Sequence, residues 1–239
     1  MFLYEQQAIW PQKAPFGHRW RWGVYLLLGV IVLGILAFAT LKPIRVLPRI
    51  RLAPGFALLD HTGQQVSSED LRGTVVLYTF TYSRCRTEAC QELWDILRYV
   101  DRHITEAVTG GVPFRLAVIS FDPTYDTPER LRQFREAYHI PARWLLLTGT
   151  DANRLRYVIG GGFEVYYEPL PNGEFAFDPA FILVDGWGII RGEYRYETLM
   201  PQQERLVRHL NVLFAEIRNS RGAAKVAYEA AHLFLCYAR

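Results

Sequence analysis

The sequence predicts an α/β fold, a mixed sheet flanked by helices, preceded by one N-terminal membrane-spanning helix. Three observations predict it: a long apolar run near the start, short uncharged apolar runs alternating with amphipathic ones through the body, and a closing hairpin followed by a helix. With 239 residues, 50% hydrophobic and 14% aromatic, the chain has material for one ordinary domain with extra segments. Its 27 basic and 24 acidic residues are scattered, and no basic cluster is interleaved with aromatics. That pattern excludes nucleic acid as a partner.

Trp22 to Leu41, WGVYLLLGVIVLGILAFATL, carries no charge and matches the ~20 residues a helix needs to cross hydrocarbon. Trp20, Trp22 and Tyr25 stand at its entrance as interfacial anchors. Ala37-Phe38-Ala39 imitates a signal-peptidase site, but the apolar run is too long for a cleaved signal. Lys13, Arg19 and Arg21 precede the span and Lys42, Arg45, Arg49 and Arg51 follow it, so charge alone does not orient it. Residues 42–53 alternate basic and apolar side chains among prolines, which suits a juxtamembrane tether.

The body follows in order. Residues 56–66 read as a hairpin around Thr62-Gly63, and 74–80, TVVLYTF, as a fully buried strand. Leu93, Leu97 and Val100 fall on one helical face, and 114–121 form a second buried strand. Thr127 caps the next helix with Pro128 at its first position, and Leu131, Phe134 and Tyr138 make its apolar stripe. A short strand at 144–148 precedes a helix over Asp151 to Ile159, which Gly160-Gly161-Gly162 ends; without a lysine this triplet is a cap and not a phosphate loop. Residues 181–185 and 188–196 make a hairpin, and 201–217 a closing helix. This is the order of a thioredoxin-like sandwich, in which chemistry sits beyond the carboxyl ends of the strands. Cys85 and Cys90 stand directly beyond strand 74–80.

Five residues of helix advance about 7.5 Å, whereas bridged Cα atoms lie about 4.4–6.8 Å apart. A pairing therefore requires Cys85 in the loop and Cys90 in the first helical turn. Arg84 and Arg86 would then flank an exposed Cys85 sulfur near a helix N-terminus, lowering the thiol pKa and favouring a reversible disulfide. The tail, 219–239, places Val226, Ala230, Leu233 and Phe234 on one stripe, to be covered by its own domain, the membrane or another subunit. His232 and Cys236 are one turn apart, a ligand spacing, although burial against a partner is the preferred reading.

Several stretches together resemble the SCO/SenC family of membrane-anchored, thioredoxin-fold proteins: FALLDHTGQQVSSEDLRGTVVLYTFTYSRC (56–85), SFDPTYDTPERL (120–131) and LLLTGTDANRLRYVIGGGFEVYYEP (145–169). The likeness covers about 54–217. It implies a cytoplasmic segment 1–21, the span 22–41, a thioredoxin-like domain 54–218 outside the cytoplasm, and copper delivery or thiol reduction for the dinuclear copper centre of cytochrome oxidase. Two departures stand out. The family separates its cysteines by three residues and carries a histidine, its third copper ligand, eight positions before the end of the FLID-like strand. Here four residues intervene, Arg86 and Gln91 follow the cysteines, and counting back from Asp185 gives Phe177.

Cu(I) favours thiolates with an imidazole, and Phe177 supplies no donor; the adjacent Asp178 offers only a hard carboxylate. His18 precedes the span, His103 and His209 read as solvent-facing, and His61, His139 and His232 are the conceivable replacements, each read as a surface residue. Pro179 stands where related thioredoxin-like reductases place a proline beside their redox cysteines, which favours dithiol chemistry through Cys85 and Cys90. The expectation is a divergent SCO-like protein with no cofactor, a single-pass extracytoplasmic accessory subunit of a respiratory electron-transfer complex with quinol- or cytochrome-oxidising partners. The alternative is a copper chaperone, with Cys85 and Cys90 as metal ligands, or a thiol-disulfide oxidoreductase.

Overall fold

A computed structural model describes residues 17–41, 45–195, 203–220, 222 and 224–234, and side chains within helix α1 over 20–36. The chain divides into two compact units, Met1–Pro43 and Ile44–Arg239. In the first, α1 runs from Gly17 to Leu41. Its described side chains are all exposed, Trp20 and Leu33 by about three quarters or a little less (75% and 71%). Among the described residues no helix is long and apolar enough to cross a membrane.

The second unit is built on an eight-stranded sheet in the order β1-β10-β9-β4-β5-β6-β2-β3. The strands are β1 (Arg51–Leu52), β2 (Ala57–Asp60), β3 (Gln65–Ser67), β4 (Val75–Thr81), β5 (Phe114–Ser120), β6 (Trp144–Thr148), β9 (Ala180–Val184) and β10 (Ile189–Arg195). Strands β4, β5 and β6 are parallel, and the flanking pairs are antiparallel. A separate hairpin pairs β7 (Tyr167–Pro169) with β8 (Phe175–Phe177).

Both faces of the central strand are buried because its side chains alternate between two cores. Val75 and Leu77 face one, with α2 (Glu88–His103), α4 (Pro128–Ala137) and α6 (Gln203–Asn219). Val76, Tyr78 and Phe80 face the other, with α5 (Ala152–Leu155) and the π-helical turn Arg156–Gly162. Leu93, Ile96, Leu97 and Val100 of α2 are all buried, and each contributes roughly 1.5–3 kcal/mol relative to exposure. Thr127 caps α4, its hydroxyl accepting from the Arg130 N–H, with Pro128 in the first turn. A short helix, α3 (Glu106–Thr109), connects α2 to β5.

Four expectations are corrected here. The glycine triplet does not stop a helix; it lies inside the π-helical turn, and a Cβ at Gly162 would collide with Pro54. Residues 46–52 are no free tether: Val46 and Leu47 are fully buried and β1 joins the sheet through β10. His209 is buried, its Nδ1 2.7 Å from the Tyr194 hydroxyl. In α7 (Ala224–Phe234), Val226 and Ala230 of the predicted stripe are exposed and Ala231 is buried against the domain, while Leu233 and Phe234, the rest of that stripe, lie outside the residues whose side chains are described. His18 and Cys236 fall outside the residues whose side chains are described.

A buried charge cluster fastens these segments. Arg191 donates to Asp185 Oδ2 at 3.0 Å, to Glu216 Oε1 at 2.7 Å, and to the carbonyls of Leu47 and Pro48 at 2.7 and 3.0 Å. The Leu47 N–H donates to Glu216 at 3.2 Å, and His232 of α7 meets the same carboxylate at 3.0 Å. Burial holds the His232 imidazole below its ordinary pKa, against the pull of Glu216. On the surface, Arg49 pairs with Glu229 of α7 at 2.9 Å.

Truncating Arg191 to Ala strands two carboxylates in the interior, and the expected loss is about 3–5 kcal/mol in a denaturant titration. Arg49→Ala, which breaks only the exposed pair, is expected to lose under about 1 kcal/mol.

Candidate functional site

The site assembles at the carboxyl ends of β4 and β5. Strand β4 ends at Thr81, the loop 82–87 carries Cys85, and α2 opens at Glu88 with Cys90 in its first turn. Cys85 and Cys90 are joined as a disulfide with their Cα atoms 6.1 Å apart. The loop makes this possible, since the Cys85 N–H returns to the Tyr82 carbonyl at 3.2 Å and the Cys90 N–H to that of Thr87 at 3.1 Å. The Cys90 sulfur is 3.4 Å from the Thr81 hydroxyl, and that of Cys85 is 3.4 Å from the Thr87 hydroxyl.

The expected exposed sulfur between two free arginines is not what forms. Cys85 is only 7% exposed and Cys90 1%. Arg84 turns away, donating to Asp122 at 2.5 Å with its guanidinium 4.3 Å over the Tyr125 ring. Arg86 folds onto its own loop, donating to the Ser83 and Cys85 carbonyls at 3.2 and 3.1 Å.

The segment after β5 supplies the anchor for this loop. Asp126 is fully buried and accepts from the Ser83 N–H at 2.8 Å, from the Ser83 hydroxyl, and from the Ser120 hydroxyl at 2.5 Å. Asp122, also buried, receives Arg84 and the Thr124 hydroxyl, and its own N–H donates to Ser120 Oγ at 3.1 Å. The SFDPTYD stretch therefore holds the cysteine loop in place. Burial pushes the Asp126 carboxyl above its ordinary range, opposed by the bonds from Ser120 and Ser83. Sequence reasoning gave Ser83, Ser120, Asp122 and Asp126 no role; the available signal was their place in the stretches 56–85 and 120–131 that carry the family resemblance.

Phe177 belongs to an aromatic cluster on the other side of the loop. The β7–β8 hairpin brings Tyr167, Phe175 and Phe177 against Tyr82 and Phe121, with centroids 4.9, 5.0 and 5.2 Å from Phe121. Phe177 is 6.4 Å from Tyr82, which is itself three residues from Cys85. The neighbouring Asp178 is exposed, and Pro179 is buried. The antiparallel register of β4 with β9 pairs Thr79 with Phe181; continued by two residues, it sets Pro179 alongside Thr81.

Among the described residues no histidine is bonded to either sulfur, although His139 and Cys85 line the same groove. His61 is half-buried near Asp60 and Arg135, with burial holding its imidazole below the ordinary value. His103 stacks on Tyr99, His139 is exposed beyond α4, and His209 and His232 serve the pairings above. Among the described residues no three His, Cys, Asp or Glu side chains are grouped to hold a metal ion. The donor set beside Cys85 and Cys90 does not reproduce the two-thiolate, one-imidazole arrangement that suits Cu(I).

Comparison with known proteins agrees with this architecture. The SCO1/SenC family model matches residues 47–214. The mitochondrial Protein SCO2 homolog of Bos taurus is 33% identical over 119 residues, 50% of this chain and 42% of that protein, so the match spans less than half of the relative's length. Among solved structures, BsSco, described as a Sco-family cytochrome c oxidase assembly protein with a disulfide switch, superposes with a TM-score of 0.56 at 19% identity, covering 69% of this chain and 95% of that one. Yeast Sco1 with copper bound superposes with a TM-score of 0.55 at 22% identity, covering 74% and 99%. At these identities the structures establish a shared fold.

Replacing Asp126 with Ala leaves the Ser83 N–H and two hydroxyls without their acceptor, and a loss of about 1–3 kcal/mol is expected by urea denaturation. The raised pKa has a definite sign. The native carboxyl holds its proton more tightly than the unfolded one, so stability falls as pH rises from the ordinary 3.8 through the raised native value. Asp126→Asn should remove that slope from a pH series of unfolding curves.

Proposed function

Because the chain belongs to the SCO1/SenC family, we propose that it is a membrane-anchored accessory subunit of a respiratory electron-transfer complex, in which Cys85 and Cys90 form a redox pair. One observation carries the reading: Phe177, where the family resemblance expects an imidazole ligand, is packed into the cluster of Tyr82, Phe121 and Phe175. A hydrocarbon ring there supplies no lone pair, and the sulfurs are engaged with each other. What remains is thiol-disulfide chemistry, with Pro179 buried at the register position next to Thr81 and the Thr81 hydroxyl beside the Cys90 sulfur.

Anchoring is supported by α1, whose exposed apolar side chains and entrance aromatics, Trp20, Trp22 and Tyr25, would suit lipid surroundings. A domain on the extracytoplasmic side suits a disulfide, which persists in oxidising compartments. The second reading is a copper chaperone or thiol reductase for an oxidase copper centre. It is favoured by the retention of two cysteines beyond β4 and by the copper-bound state of the yeast relative.

Purification from the native membrane separates the two. Co-purification with quinol- or cytochrome-oxidising subunits and substoichiometric copper selects the subunit; stoichiometric copper selects the chaperone. Phe177→His is expected to raise the Cu(I) affinity of the reduced protein roughly ten-fold or more in a competition titration, by restoring an imidazole. If the wild-type protein already binds Cu(I) as tightly as that variant, the redox-pair reading fails.

A further inference from the structure

Cys85 also opens onto a groove of about 600 Å³ between α2 and the segment that follows α4. Its walls are aromatic: Trp94 and Trp144 stack nearly parallel, 6.4 Å apart, and Phe134 packs 5.5 Å from Trp94. Its rim is cationic. Arg86, Arg98 and Arg102 line it against Asp95 and Asp101. Asp101 is already taken by Arg143, at 2.7 Å to its Nε, and by Trp144 Nε1 at 2.8 Å, while Asp95 meets Arg98 at 3.7 Å. Arg86 bonds only backbone carbonyls, and Arg102 is exposed with no carboxylate within ion-pair distance among the described residues. The groove therefore keeps a positive charge at each end, one beside the sulfur and one far from it.

We propose that this groove is the docking surface for an acidic, dithiol-bearing segment of a partner protein. The inference rests on the redox-pair reading above and adds the partner's chemistry. Arg102 is twelve residues beyond Cys90 on a continuous helix, about 18 Å at 1.5 Å per residue. An extended segment at ~3.3 Å per residue spans that distance in about five or six residues. Its cysteine then meets Cys85, an apolar side chain rests on Trp94 and Phe134, and a carboxylate reaches Arg102. Only Cys85 of the pair lines the groove; Cys90 is buried against Thr81.

The exchange balances without any other reagent. A partner thiolate attacks Cys85 Sγ, a mixed disulfide forms, and the Cys85–Cys90 bond breaks with Cys90 leaving as a thiolate. The partner's second thiol then attacks its own sulfur in the mixed disulfide and releases Cys85. Two electrons pass from the partner dithiol to the pair, and the partner becomes the disulfide.

The test uses the full chain in lipid nanodiscs and two dithiol peptides identical except for Glu or Lys six residues from the attacking cysteine. Reduction is followed by alkylation mass shift, counting two new thiols beyond Cys236, with dithiothreitol as a small reductant. The Glu peptide is expected to react roughly ten-fold faster than the Lys peptide at low ionic strength. Arg102→Glu should abolish or reverse that preference and leave the dithiothreitol rate unchanged. Equal rates for the two peptides, or a preference that survives Arg102→Glu, overturns the docking surface while the redox pair stands. Failure of dithiothreitol to reduce the pair overturns the redox reading itself, and this inference with it.

Discussion

The site depends on one buried carboxylate. Asp126 accepts from Ser83 and Ser120, and through them it joins the loop after β4 to the loop after β5. Without that tie, the six residues between Thr81 and Glu88 would have to hold their shape from local turns alone, and the register of Cys90 against Thr81 would be unspecified. An ion held away from water is tolerable only when its lone pairs are fully used. Asp122 performs a parallel service, drawing Arg84 inward and leaving Arg86 as the guanidinium next to the sulfur. The electrostatic surroundings of the disulfide are thus set by residues some forty positions further along the chain.

The aromatic hairpin plays the complementary part. Five rings, from Tyr82, Phe121, Tyr167, Phe175 and Phe177, close the side of the loop that faces β7 and β8. Large rings exclude water, and the three phenylalanines among them offer no ligand. Their packing also gives the hairpin a reason to stay folded over the site, since its two strands of three residues each would be marginal alone. The Phe177 ring is therefore part of the packing that holds the hairpin over the loop.

Much of this fold was legible in the sequence because its signals are periodic and local. The apolar runs at 74–80 and 114–121 became β4 and β5, the Thr127-Pro128 cap opened α4, and Cys85 and Cys90 fell in loop and first turn as the spacing required. What stayed hidden depends on contacts distant in sequence. His209 lies one turn from Leu206 and Leu213 on the buried face of α6 and meets Tyr194 of β10 there, a pairing that the pattern of α6 alone does not give. The tether 42–53 reads as polar linker because Val46 and Leu47 are short signals, and their burial is fixed by Glu216 and Arg191 more than 140 residues away. Val226 and Ala230 of α7 face outward for a related reason: His232 and Glu229 find their partners in the domain, Glu216 and Arg49. The role of Asp126 was invisible because an aspartate in a loop is ordinarily solvated.

The sheet order has a further consequence for association. Its two margins are β1, of two residues, and β3, of three. Borders this short give an incoming strand little to pair with on β1 or β3 themselves, a protection against edge-to-edge aggregation there. Strand addition at those two margins is thereby disfavoured. Any companion protein must identify it through side chains displayed on its helical faces and loops, where single substitutions retune selectivity without disturbing the scaffold.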